Sequence, residues 1–372
     1  MMHVLLEAPA SALDLCKDGS KVVVAGRSVF KIFSVEEEFV ERDNLRVGKN
    51  INLNFSCNDV VWSPVDDQVI ATAATNGAVV VWNLNKAGRG KQKQVFNDHR
   101  RTVNKVNFHP TEAGLLISGS QDGTMKLFDM RIDKPGETFE SKTESVRDVQ
   151  FNPLNYFQFC AVSENGKVQL WDTRRADRCE KQWPAHNNHV FACDWHPEQR
   201  NLLATAGRDK TIKVWDTTSR RGDKMHGLEH TVNTIGPVGR VKWRPQRADY
   251  LGSSALCIDF AVNVWDIKRP YVPFAAFLQL DAATSRRVHG AALALIEIEE
   301  GDEEPRRLAR KHAAGIFEAQ RLAVDGRADG RLHAQAHALA AHHALRVADA
   351  LAHGRQREER EGREEREERE ER

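Results

Sequence analysis

The sequence predicts an all-β protein: a β-propeller with six recognisable blades, a seventh blade lost or replaced, and a C-terminal helical or disordered tail. Three observations predict it. A turn-and-strand pattern returns along the chain, and the aromatic residues near its end are spaced 43 to 50 residues apart. An apolar segment ending in proline keeps step with it, about twenty residues before the aromatic. Both segments alternate inward and outward residues, the period of strands and not of helices.

The repeats run in order. A degenerate first copy, "VVVAGRSVFKIFS", ends at Ser34, and "ATAATNGAVVVWN" ends at Asn83. "SGSQDGTMKLFD" ends at Asp129, "AVSENGKVQLWD" at Asp172 and "ATAGRDKTIKVWD" at Asp216. A weaker copy, "DFAVNVWD", ends at Asp266. The proline-terminated companions are "DVVWSP", "KVNFHP", "DVQFNP", "CDWHP" and "VKWRP", closing at Pro64, Pro110, Pro153, Pro197 and Pro245. Proline cannot continue a sheet ladder, so each marks a turn after a strand. Asn76-Gly77, Asp122-Gly123 and Asn165-Gly166 are hairpin signals, because such pairs tolerate positive φ. The fifth copy has Asp209-Lys210 there, a less favourable turn. Four short strands in ~40–45 residues is the dimension of a propeller blade.

Composition limits the alternatives. The chain has 372 residues, 41% hydrophobic and 29% charged, with a formal net charge of +1. No global field points to nucleic acid or to a strongly charged partner. Cys16, Cys57, Cys160, Cys179, Cys193 and Cys257 are scattered with no C-x-x-C pair, which argues against a disulfide framework or a zinc module. The N-terminus has no signal-peptide pattern, and no run reaches the ~18 apolar residues of a membrane span. The expectation is a soluble intracellular protein in a reduced compartment.

These repeats resemble the WD-repeat family, and the resemblance narrows further. "NDVVWSPVDDQVIATAATNGAVVVWNL", "HRRTVNKVNFHPTEAGLLISGSQDGTMKLFDMR", "ESVRDVQFN" and "KRPYVPFAAF" are similar to the WD repeat protein 24 family. Irregular linkers agree as well as blade motifs, from residue 2 to about residue 277. The resemblance implies a subunit of the second GATOR subcomplex, an activator of amino-acid signalling to TOR complex 1 at the lysosome. It implies protein partners in a hetero-oligomer, a cytoplasmic location peripheral to the lysosomal membrane, and no direct membrane insertion. Full-length members end in a helical solenoid and a zinc-binding end with ascribed ubiquitin-ligase activity. The cysteine count leaves no such zinc end here, so that activity is not carried over. The rival readings are a ubiquitin-ligase subunit and a generic propeller adaptor of another complex.

His186, Thr205, Asp209 and Trp215 have the spacing of a WD-repeat hydrogen-bond tetrad. His99, Ser118 and Asp122 repeat it before Phe128, without an indole donor. A His–Asp–Thr set invites a catalytic reading, but nucleophilic catalysis needs an exposed nucleophile beside an oxyanion hole. Recurrence in two blades favours structure, so no catalytic residue is assigned. Trp62, Trp195 and Trp243 before the x-Pro turns read as packing between blades, or as an exposed rim that grips a partner. Arg100-Arg101, Arg174-Arg175 and Arg220-Arg221 read as solvated loops, or as a binding face on a rigid scaffold. No interleaved aromatics argue for nucleic acid. No phosphate loop or H-E-x-x-H motif is present, so no cofactor and no metal is expected.

The organisation follows: a propeller over 1–277, an irregular linker over 278–304, and an Ala/Arg/Glu-rich helical or disordered tail over 305–372. Residues 251–261 also depart from the repeat pattern. From about residue 278 the chain reads as non-ancestral, as from a shifted frame or retained intron in GC-rich DNA. Residues 305–323 have a helical apolar spacing, and the final Glu/Arg run has i,i+4 pairs. His333 and His337 are also i,i+4, but no third metal ligand is placed. Residues His3–Leu6 suit the strand that usually completes the last blade. Without a seventh blade, either the ring stays gapped or six units close more tightly. The function expected is a non-catalytic interaction scaffold.

Overall fold

The computed structural model describes residues 6, 10–35, 39–46, 56–132, 135–143, 145–218, 227–245, 247–256 and 262–277. Alternating apolar residues between turn signals form six four-stranded antiparallel sheets, each a meander of four strands consecutive in sequence. The result is a six-bladed β-propeller. The linker and tail expected over 278–372, Cys257 and Arg220-Arg221 lie outside the described residues, as do His3–Leu5 of the expected closing strand.

The first strand of each blade lines the axis: Ala10–Leu15, Cys57–Trp62, Val103–Phe108, Val146–Asn152, Val190–Trp195 and Val238–Trp243. Each of the first five packs beside the first strand of the next blade. Between the blades, apolar side chains from facing sheets interdigitate. Phe30 of the first blade meets Trp82 of the second edge-on at 5.1 Å. Trp62, Trp195 and Trp243 are buried in these layers, so they pack between blades and do not form a rim.

The hairpin turns between the second and third strands of the blades have the backbone that their residues allow. Gly77, Gly123 and Gly166 sit at φ +93°, +81° and +80°. A Cβ at Gly123 would lie 2.4 Å from the Thr143 carbonyl oxygen, so the next loop can approach only glycine. Lys210 takes the same left-handed region at φ +63° without that freedom. Residues 251–255, irregular as a repeat, lie in the regular strand Tyr250–Ala255.

An innermost strand leaves one edge of N–H and C=O groups turned to the axis, and buried backbone groups need partners. Side chains of the preceding blade supply them. Asp14 Oδ2 accepts from the Trp62 N–H at 2.6 Å, and Asp59 Oδ2 from the Val106 N–H at 3.2 Å. Asn107 Oδ1 accepts from the Phe151 N–H at 3.0 Å, Asp148 Oδ2 from the Cys193 N–H at 3.2 Å, and Asp194 Oδ2 from the Trp243 N–H at 2.7 Å. Cations balance the carboxylates. Lys105 Nζ lies 3.1 Å from Asp59 and Lys242 Nζ lies 2.8 Å from Asp194.

Burial pushes the Asp14 carboxyl up to about 6, although the Trp62 N–H and Lys105 favour its charge. Burial likewise raises Asp148. Enclosure disfavours the Lys242 ammonium, but Asp194, Asp148 and Asp14 outweigh it and raise its pKa above the ordinary lysine range. Half of the Lys242 side chain, 52%, is still open to the channel. Water there screens these charges.

Candidate functional site

The polar centre of the fifth blade is built from four elements. His186 lies in the loop between the strands Lys181–Pro184 and Val190–Trp195, Thr205 on Leu202–Gly207, Asp209 in the following turn, and Trp215 on Thr211–Asp216. His186 Nδ1 lies 2.8 Å from Asp209 Oδ1, and Nε2 lies 2.8 Å from Thr205 Oγ1. The Trp215 indole N–H donates to Thr205 Oγ1 at 2.9 Å. One arrangement satisfies every group: a neutral imidazole donates from Nδ1 to the carboxylate and accepts the threonine hydroxyl proton at Nε2. Burial lowers the His186 pKa, against the pull of Asp209, and so favours that neutral form. Burial alone would raise Asp209, but hydrogen bonds from His186, Thr211 and the Asn187 N–H bring it down to about 2.

The third blade repeats the set. His99 Nδ1 lies 3.0 Å from Asp122 Oδ2 and Nε2 lies 2.6 Å from Ser118 Oγ. The ring of Phe128 stands where the indole would be, with its centroid 6.5 Å from that of His99. Burial again opposes charge on Asp122, yet bonds from His99, Thr124 and the Arg100 N–H hold its carboxyl well below the usual range. Thr205 and Ser118 are 0% exposed. Their hydroxyls face a histidine and an indole or phenyl ring, so no substrate carbonyl can approach them in this structure.

Several partners escaped the spacing argument. Thr211 and Thr124, each two residues after the turn aspartate, donate to that carboxylate at 2.8 and 2.6 Å. Gly207 leaves room for the imidazole, since a Cβ there would lie 2.8 Å from His186 Nδ1. Two blades keep only the indole–hydroxyl bond: Trp82 to Thr72 at 3.1 Å and Trp265 to Ser253 at 2.8 Å. In the fourth blade Ala161 replaces the hydroxyl residue and is paired across the strands with Gln169. The Trp171 indole turns to that glutamine at 3.3 Å.

These centres hold blades together and present loops. Arg100, Arg101, Arg174 and Arg175 are exposed on such loops. Arg174 is tied to Asp172 at 2.5 Å, and its guanidinium lies 4.4 Å from the centroid of the Phe157 ring. Tyr156, Phe157, Tyr271 and Val272 are also exposed, the first two at the start of the strand Asn155–Ser163 in the fourth blade and the others in the loop between Val262–Asp266 and Ala275–Phe277 in the sixth. Such rigidly mounted aromatic and arginine side chains have the chemistry of protein–protein contact. Among the described residues, no group of three metal-ligating side chains stands close enough to hold a metal ion. No described helix is long and apolar enough to cross a membrane.

The chain matches the family described as nucleolar protein 10-like, N-terminal domain, over residues 48–242. It is 56% identical over 277 residues to the human GATOR2 complex protein WDR24, covering 74% of this chain and 35% of that protein. The Drosophila melanogaster protein of that name is 53% identical over 277 residues, with 74% and 35% covered. The Dictyostelium discoideum one is 41% identical over 282 residues, with 74% and 27% covered. The chain therefore spans about a third of the length of these relatives. A chain in the crystal structure of the mitotic checkpoint complex superposes with a TM-score of 0.62 at 21% identity, covering 73% of this chain and 80% of that one. That likeness concerns the fold alone.

Proposed function

The chain belongs to the nucleolar protein 10-like N-terminal domain family and to the WD repeat protein 24 family, and from this we propose that it is a non-catalytic scaffold, a subunit of a GATOR2-type complex. Its propeller would present loops to neighbouring subunits and regulators, and the complex would support amino-acid-dependent activation of TOR complex 1. The corresponding place of work is the cytoplasm, at the lysosomal surface and without insertion into the bilayer. The observation that carries the reading is the 53–56% identity, sustained over 277 residues, to proteins named as GATOR2 subunits. The matched span takes in the exposed loops as well as the strands, and loops carry recognition.

The test is affinity purification of the tagged full chain from cells, with quantitative mass spectrometry. Recovery of other GATOR2 subunits in near-stoichiometric amounts is expected, with loss of TOR complex 1 activation when the chain is depleted under amino-acid feeding. Recovery of coat or chromatin proteins and no GATOR2 subunit would overturn it.

A further inference from the structure

The net charge of +1 hides an uneven distribution between the two ends of the propeller. Every blade is a meander of consecutive strands. The turn between its second and third strands therefore lies at the same end as the connections between blades, and its other two turns lie at the opposite end. Contacts draw the first set together. A Cβ at Gly77 would lie 3.1 Å from the Arg101 carbonyl oxygen, and the Arg208 N–H donates to the His189 carbonyl at 2.8 Å.

At this connecting end Arg27, Arg100, Arg101, Lys142, Arg208 and Lys210 are exposed. None of their side chains has an ion-pair partner among the described residues. The described carboxylates of these turns and connections are withdrawn. Asp122 and Asp209 are held in the tetrads, Glu164 is tied to Arg147, and Asp98 is half-buried. The opposite end neutralises its cations one by one. Arg131 pairs with Asp129 at 2.6 Å, Arg174 with Asp172 at 2.5 Å and Lys268 with Asp249 at 2.5 Å. Arg175 and Arg178 share Asp177 at 3.9 and 4.0 Å. The connecting end alone is left with an excess of exposed positive charge, which attracts anions.

These cations stand on fixed backbone. Asp122 accepts from the Arg100 N–H at 2.9 Å, so the tetrad of the third blade holds the connection that carries Arg100 and Arg101. Groups held in place lose less freedom on binding. Guanidinium forks match carboxylates through paired hydrogen bonds. Asn187 and Asn188, exposed on the connection into the fifth blade, can bond to peptide groups of the same ligand. Single-stranded nucleic acid would call for exposed rings that stack on bases, but Tyr156, Phe157 and Tyr271 stand at the opposite end. A bilayer would call for an apolar face, but Ile235 is the one large apolar residue exposed among the described residues of this end.

We propose that the connecting end of the propeller docks an acidic segment of a partner protein, with its carboxylates held by Arg100, Arg101, Arg208 and their neighbouring cations. This rests on the reading of the chain as a scaffold and gives the partner its chemistry.

The test uses the purified full chain and a fluorescein-labelled peptide of alternating glutamate and serine, followed by anisotropy. The peptide should bind, and weaken at least ~10-fold between about 50 and about 300 mM salt. The triple variant Arg100→Glu, Arg101→Glu, Arg208→Glu should weaken binding at least ~10-fold, whereas Arg175→Glu with Arg178→Glu at the opposite end should change it less than ~2-fold. Glutamine at the same three positions should give an intermediate loss, and serves as the readout if the charge reversals unfold the chain. Equal losses at the two ends, or no peptide binding at about 50 mM salt, would overturn the proposal. So would retention on phosphatidylserine vesicles that the triple variant loses while the peptide does not bind, which would make a membrane the occupant. A chain that binds the peptide but recovers no GATOR2 subunit from cells would sink the proposed complex and leave this surface standing; the reverse result would sink the surface alone.

Discussion

The fifth and second blades share one bond and differ in what surrounds it. In both, an indole donates to a threonine hydroxyl on the neighbouring strand: Trp215 to Thr205 and Trp82 to Thr72. In the fifth blade that hydroxyl meets an imidazole, which reaches on to the turn carboxylate Asp209. In the second blade the turn residue is Asn76, which caps the Ala78 N–H at 3.1 Å, and Thr72 Oγ1 keeps the Val80 carbonyl at 3.4 Å, a contact that Thr205 Oγ1 also makes, with the Lys213 carbonyl at 3.5 Å. The indole–hydroxyl bond thus ties two strands of one sheet. The histidine and aspartate extend the tie to an incoming loop, because His186 belongs to the connection from the preceding blade. What differs is how firmly each blade is fastened to the chain that enters it.

Removing the imidazole should break the comparison most. His186→Leu leaves the Asp209 carboxylate and the Thr205 hydroxyl without their main partner in a buried site, at a cost of about 3 kcal/mol. A urea midpoint unchanged from the parent would show that the loop tie contributes nothing. Thr72→Val in the second blade orphans one indole N–H and should cost about 1–2 kcal/mol. Equal losses for the two variants, measured in the same denaturant series, would erase the distinction between the blades.

Acid should sharpen the contrast. Asp209 titrates at about 2 in the folded chain, against ~3.9 when unfolded. The stability it contributes is complete above the unfolded value and is lost as pH falls from there through about 2. His186 is shifted down, so below ~6.5 the unfolded chain takes up a proton that the folded imidazole resists. Both effects weaken the fold on acidification. The stability gap between the parent and His186→Leu should therefore narrow from pH 7 to pH 5. A gap that widens over that range would mean that the folded histidine is charged.

Much of this was legible in the sequence for a physical reason. Blade number and turn positions follow from a period, and Gly77, Gly123 and Gly166 mark φ values that few other residues adopt. The tetrads are legible because histidine, turn aspartate and indole lie at fixed offsets within one repeat. The bonds that join blades are not. Asp14 is 48 residues from Trp62, and nothing in "ASALDL" distinguishes an axis-facing acceptor from a solvated one. The Ser253–Trp265 pair is hidden because two extra residues separate them, relative to Thr205 and Trp215. Buried and exposed arginines read alike too: Arg244 is buried at the x-Pro turn, whereas Arg174 is open to solvent.

The smallest expected effect concerns the turn beside the tetrad. Three blades spend a glycine there, and at Gly77, Gly123 and Gly166 an added Cβ would strike a carbonyl oxygen of the next loop at 2.3–2.5 Å. Lys210 holds φ +63° in the fifth blade. Its carbonyl oxygen accepts from the Thr234 N–H at 2.9 Å, and so anchors the chain leading to the sixth blade. A lysine in that region strains the contact between its Cβ and its own carbonyl by roughly 1 kcal/mol, of which glycine's added freedom when unfolded takes back a part. Lys210→Gly should therefore stabilise the protein by about 0.5 kcal/mol, visible as a small rise in Tm, while leaving the His186–Asp209 bond in place. A fall in Tm would mean that the lysine side chain contributes more than its backbone strain removes, and that the turn of the fifth blade differs from the other three by more than one Cβ.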